Sequence, residues 1–167
     1  MRQFRATENR KTGRKVIKMN NLYNQSDVLE ILNRIEKLTS NSQRQWGKMN
    51  VDQMLWHLNA FLETALNLNS PKRLLIGRIL GSYFKSRYIR NKQFSKNAPT
   101  HKNYIFTDIR DFENEKTKSV KLIKQFFDGG KSKCTLKPHP FFGKLTPEEW
   151  SIAQWKHFDH HLRQFGV

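Results

Sequence analysis

Thr146-Pro147-Glu148-Glu149-Trp150-Ser151-Ile152-Ala153-Gln154-Trp155-Lys156-His157-Phe158-Asp159-His160-His161-Leu162-Arg163-Gln164-Phe165-Gly166 reads as one helix over 147–165. Thr146 suits the N-cap, Pro147 the first helical position, and Glu149 closes a capping box. Gly166 stands just past the end. At 100° per residue, His157, Trp150, His161, Gln154, Phe165 and Phe158 fall within a sector of about 100°, which predicts the core face. His160 falls on its flank, and Asp159 on the far side, towards solvent. An i, i+4 histidine pair is the spacing by which one helix supplies two metal ligands. Without a metal, two inward imidazoles need other polar partners.

A third ligand has to come from another helix. Asn50 and Gln53 repeat the capping pattern ahead of Val51, Met54, Leu58, Phe61, Leu62 and Ala65, which predicts a helix ending near Leu68. Its sole histidine, His57, lies at the edge of the apolar stripe, where a side chain can look along an interhelical groove. The alternative is three interfacial histidines hydrogen-bonded to backbone or water. His101 in a basic stretch and His139 between Pro138 and Pro140 are loop histidines, open to substrate contact or to no role.

Two further helices complete the pattern. Val28, Leu29, Ile31, Leu32, Ile35 and Leu38 fall at helical spacing behind Asp27, with Glu30 as its capping-box partner, predicting a helix over 27–40. Phe112, Val120, Ile123, Phe126 and Phe127 predict another from Asp111 to Phe127, stopped by Asp128-Gly129-Gly130. Between them, Arg73 to about Lys85 has helical apolar content weakened by Gly77 and Gly81. It then dissolves into a long basic connection broken by Pro99. Four amphipathic helices with one long crossover predict an all-α bundle.

The 167 residues carry a formal charge of +17, and 37% are apolar, which fits one domain with a real core. The charge is concentrated. Residues 1–20 hold seven basic residues against one acid, and residues 71–102 hold nine basic residues and no acid. The first segment lacks periodicity and reads as a disordered arm ahead of a domain over 21–167, and Met19 offers an alternative start. No apolar run is long enough for a membrane span, and no secretory signal is written. The lone Cys134 excludes an intrachain disulfide and a cysteine-based zinc cluster, which agrees with a reducing, cytoplasmic setting. The lysines around Cys134 favour a lowered thiol pKa, although an idle loop cysteine is the commoner case.

Three strings carry a family resemblance: Gln45-Trp46-Gly47-Lys48-Met49-Asn50-Val51-Asp52-Gln53-Met54-Leu55-Trp56-His57, then His139-Pro140-Phe141-Phe142-Gly143-Lys144-Leu145 into Thr146–Trp150, then Lys156–Phe165. Over roughly residues 20–167 the chain resembles the uncharacterised branch of the DinB/YfiT-like metalloenzyme superfamily. The resemblance implies an up-down-down-up four-helix bundle, its crossover between the second and third helices. It also implies a divalent metal, typically nickel or zinc, on three histidines: His57, His157 and His161. Better-known members follow the closing histidine with Arg-Gly-Gln, where this chain has Leu162-Arg163-Gln164.

Three neutral imidazoles leave a divalent ion its charge and an open position, which suits Lewis-acid chemistry. No predicted helix places a carboxylate beside the histidines, so a hydrolase or a two-histidine, one-carboxylate iron site fits less well. Relatives that activate a low-molecular-weight thiol imply a metal-dependent, thiol-dependent transferase-like enzyme. There Gln154 is expected behind a ligand, and His160 or His139 near the substrate. The expected partner is a small anionic molecule drawn by the basic crossover, with a homodimer through an outer helix face as a further expectation and no membrane. The competing readings are a basic nucleic-acid-binding helical protein and a non-catalytic, metal-stabilised bundle.

Overall fold

The computed structural model describes residues 19–90, 93–97 and 100–167. The basic arm expected over residues 1–20 lies outside them, Met19 and Asn20 excepted. The described chain is all-helical: α1 Gln25–Glu36, α2 Val51–Ala65, α3 Leu75–Arg90, α4 Phe112–Lys133 and α5 Pro147–Gln164, with a 3-10 turn at Lys102–Tyr104. α1 and α2 each pack on both α4 and α5, while α3 packs on α5. One apolar cluster runs through the first four of these contacts, with Trp150, Phe126, Phe158, Ile31, Met54 and Leu58 fully buried within it.

The capping boxes hold at two of the three expected places. Asn50 and Gln53 exchange side-chain and backbone hydrogen bonds at the start of α2, and Thr146 and Glu149 do the same at α5. α1 differs: Asn24 is its N-cap, accepting from the Ser26 and Asp27 amides. The Asp27 carboxylate instead accepts from the Asn21 amide at 2.9 Å, so an earlier Asx turn displaces the expected cap. α4 does not stop at Asp128-Gly129-Gly130. Gly130 takes φ 55°, which kinks the helix and lets it resume to Lys133.

The crossover departs furthest from expectation. Its helix continues to Arg90, and Gly77 and Gly81 orient it rather than weaken it. These two glycines lie against the Phe141 carbonyl: a Cβ at Gly77 would stand 2.6 Å from that oxygen, and one at Gly81 would be closer still. The glycine face of α3 therefore points inward, and Leu75, Ile76, Ile79 and Tyr83 point out. The C-terminal end is fixed by Lys156, whose ammonium donates to the carbonyls of Tyr88 and Ile89 and sits 4.7 Å from the Phe94 ring centroid.

This added neighbour explains why α5 is buried almost all round. Its inner face meets α2, the Lys156 side meets the end of α3, and the opposite side meets α1. Asp159, expected in solvent, is buried against α1. Its carboxylate accepts from Arg34 Nη1 at 2.8 Å and from Arg163 Nε at 2.9 Å. Trp155, on the same side, donates from its indole to the Asp27 carbonyl.

Candidate metal centre

α2 and α5 bring His57, His157 and His161 together, although the first and second are 100 positions apart. One ring nitrogen from each lies within 4.8 Å of the other two, and all three side chains are buried. The i, i+4 spacing turns both α5 imidazoles towards α2, and Phe61, one turn beyond His57, packs edge-on against His157 at 4.6 Å between centroids. His57 sits inside the interface rather than at its edge, because the 3-10 turn closes over it.

Hydrogen bonds fix the tautomers of two of the three rings. His57 Nδ1 donates to the Tyr104 carbonyl at 2.7 Å, and His161 Nδ1 donates to Gln164 Oε1 at 2.7 Å. Each bond leaves the Nε2 lone pair free to face the other histidines, the tautomer a metal ligand needs. Gln164 is held in turn, since its amide nitrogen donates to the Trp46 carbonyl at 2.6 Å. His57 Nε2 lies 2.8 Å from His157 Nε2. With His57 Nε2 an acceptor, the proton in that contact belongs to His157 Nε2. An ion at His157 Nε2 requires that proton on Nδ1 instead.

His157 Nδ1 is buried without a partner, and so is Gln154 Oε1, three residues earlier on the same helix. An orphaned ring nitrogen and an orphaned acceptor one turn apart are what a ligating His157 would pair. The Gln154 amide nitrogen already donates to the Phe61 carbonyl at 3.2 Å. Three neutral imidazoles with oriented rings fit a borderline divalent ion such as zinc or nickel. Electrostatics agree. Burial holds His57 down at about 4, and burial followed by repulsion from His57 holds His157 and His161 well below the usual imidazole value.

Among the described residues, this group contains no carboxylate. His139 is buried in a tight turn bridged to Gly143, where Nδ1 accepts from the amides of Phe141 and Phe142 at 3.0 and 3.1 Å. Its Nε2 is buried without a partner, and its ring lies 5.4 Å from Phe61. His160 stays half-buried between the rings of Trp46 and Phe94, beside a cavity of about 70 Å³ that Lys96 and Arg163 also line. A larger cavity of about 200 Å³, lined by Arg73 and Lys137 among others, includes none of the histidines. His101 caps the 3-10 turn. Cys134 is buried, and burial pushes its thiol up rather than down.

Sequence reasoning missed two contributors. Tyr104 acts through its carbonyl, which no side-chain pattern announces. Gln164 stood within the string that departs from Arg-Gly-Gln, and its position three residues after His161 was the available signal.

Comparison with known families matches residues 18–166 to the model of a family described as "Protein of unknown function (DUF1569)". Neither the curated proteins nor the solved structures provide a match.

Proposed function

The chain belongs to this family of proteins of unknown function (DUF1569), and from that premise we propose that it is a divalent-metal-dependent enzyme of thiol-transferase or related type. The observation that carries the reading is the buried convergence of three histidines: His57, His157 and His161 would hold the ion, with Tyr104 and Gln164 fixing the tautomers of two of the three rings. Bound there, a zinc or nickel ion would supply Lewis acidity and lower the pKa of a coordinated water or thiol. A thiol suits the site better than water does, because no carboxylate stands in the group to serve as general base.

Membership of the DinB/YfiT-like superfamily is part of the same proposal. The ring of contacts among α1, α4, α2 and α5 supports the up-down-down-up bundle, with α3 in the crossover. The chain's own residues would do the remaining work. His160, between two aromatic rings beside His161, would meet the substrate from the small cavity next to it, where Lys96 is the cation left to attract an anion, since Asp159 also lines the cavity and pairs with Arg163. Gln154 Oε1 would accept a hydrogen bond from Nδ1 of a ligating His157, and the His139 turn closes the apolar wall around Phe61.

Elemental analysis of purified protein is expected to return one divalent ion per chain, lost in His57→Ala and His157→Ala. Cobalt-substituted protein is expected to develop a sulfur-to-metal charge-transfer band on addition of a low-molecular-weight thiol. Stoichiometric metal surviving both substitutions would sink the site. A cobalt spectrum unmoved by thiol would leave a metal-stabilised bundle in place of a thiol enzyme.

A further inference from the structure

We propose that the outward face of α3 docks this protein on an anionic phospholipid surface. The inward glycine face fixes the helix rotation, so four large apolar side chains stand in solvent: Leu75 is 75% exposed, Ile76 57%, Ile79 77% and Tyr83 74%. A contiguous apolar face of this kind marks an interaction site. Its electrostatic setting is equally one-sided, for residues 71–102 contain nine basic residues and no acid. Lys72 and Arg73 precede the helix, and Arg78 and Arg90 are exposed along it.

The combination selects among occupants. A second copy meeting this face about a two-fold axis would bring the two basic segments together. Residues 1–20 carry the same sign and do not complement it either. A nucleic-acid backbone would satisfy the cations but leave aliphatic leucine and isoleucine without a role. An anionic bilayer surface uses both features: apolar side chains enter the headgroup boundary, tyrosine suits the interface, and lysine and arginine meet the phosphates. No helix among the described residues is long and apolar enough to cross a membrane, and surface docking needs none. The proposal departs from the expectation of no membrane partner, which rested on that missing span. This docking is independent of the metal centre.

Co-sedimentation of the full chain with vesicles tests it, using phosphatidylcholine alone and with about 30% phosphatidylserine, at roughly 50 and 300 mM salt. The protein is expected to bind the anionic vesicles, and to be released about tenfold by the higher salt. Ile76→Ser/Ile79→Ser/Tyr83→Ser is expected to lower partitioning about tenfold while leaving melting and metal content unchanged. If that variant melts early, Arg78→Glu/Arg90→Glu tests the same face by its charge. Wild-type protein remaining in the supernatant overturns the proposal, as does undiminished binding by the serine variant. Without vesicle binding, a dimer abolished by the serine variant would assign the face to a second copy, and retention on random duplex would assign it to nucleic acid.

Discussion

At the level of single residues, the centre depends on which nitrogen of each imidazole carries the proton. Gln164→Leu removes the acceptor at His161 Nδ1 and the donor to the Trp46 carbonyl, so metal affinity is expected to fall about 10- to 100-fold in chelator competition. Gln154→Leu is expected to weaken the metal similarly while costing the metal-free protein only about 1 kcal/mol, since it loses the Nε2 donor to the Phe61 carbonyl but Oε1 has no partner there. The convergence of the three histidines was legible in the sequence because His157 and His161 at i, i+4 share a helical face and His57 borders the apolar stripe of α2, whereas the Tyr104 carbonyl carries no side-chain signature. His139 gives a pH prediction. Burial lowers its imidazole to about 3 from the ordinary 6.5, and protonation would turn an Nδ1 hydrogen against two backbone amides that now donate to it. The folded state therefore binds fewer protons than the unfolded chain below about pH 6.5. Its stabilising contribution is complete above that pH and is lost, at up to about 1.4 kcal/mol per unit, as pH falls towards 3. His139→Asn retains an acceptor for the amides, so denaturant midpoints between pH 7 and 4 should decline less steeply in that variant.

At the level of elements, α3 is held by close approach rather than by a buried apolar stripe. Gly81→Ala raises helix propensity by about 1 kcal/mol, yet its Cβ would collide with the Phe141 carbonyl. The net expectation is destabilisation of about 1–3 kcal/mol, with hydrogen exchange accelerated in α3 before it changes in α2 or α4. Lys156→Met removes the donor from the Tyr88 and Ile89 carbonyls and is expected to loosen the last turn of α3 alone. A surviving exchange pattern in both variants would show that α3 is fixed by other contacts. The capped helices α2 and α5 were readable because Asn50, Gln53, Thr146 and Glu149 satisfy their own backbone amides locally. α3 was misjudged because its glycines answer to a loop about sixty residues away. Asp159 was misplaced because the wheel assigned α5 one buried face, when three helices pack around it.

For the whole molecule, the histidine trio with an ion bound would be a cross-link. It joins α2 to α5, and α5 in turn contacts α1 and α3. A ligand that binds only the folded state stabilises it by mass action, by about 4 kcal/mol at a thousandfold excess over Kd. For a chain of this size each kcal/mol moves the midpoint by about 2–4 °C. Chelation is therefore expected to lower melting by roughly 10 °C. The metal-free fold is expected to persist, because the ring of helices retains its apolar cluster and His57 and His157 still share a hydrogen bond. The control is His57→Ala, which should melt at one temperature with or without chelator. Equal shifts in wild type and variant would mean that the chelated ion sits elsewhere. Full unfolding on chelation would mean that the metal builds the bundle rather than occupying a site the packed helices already present.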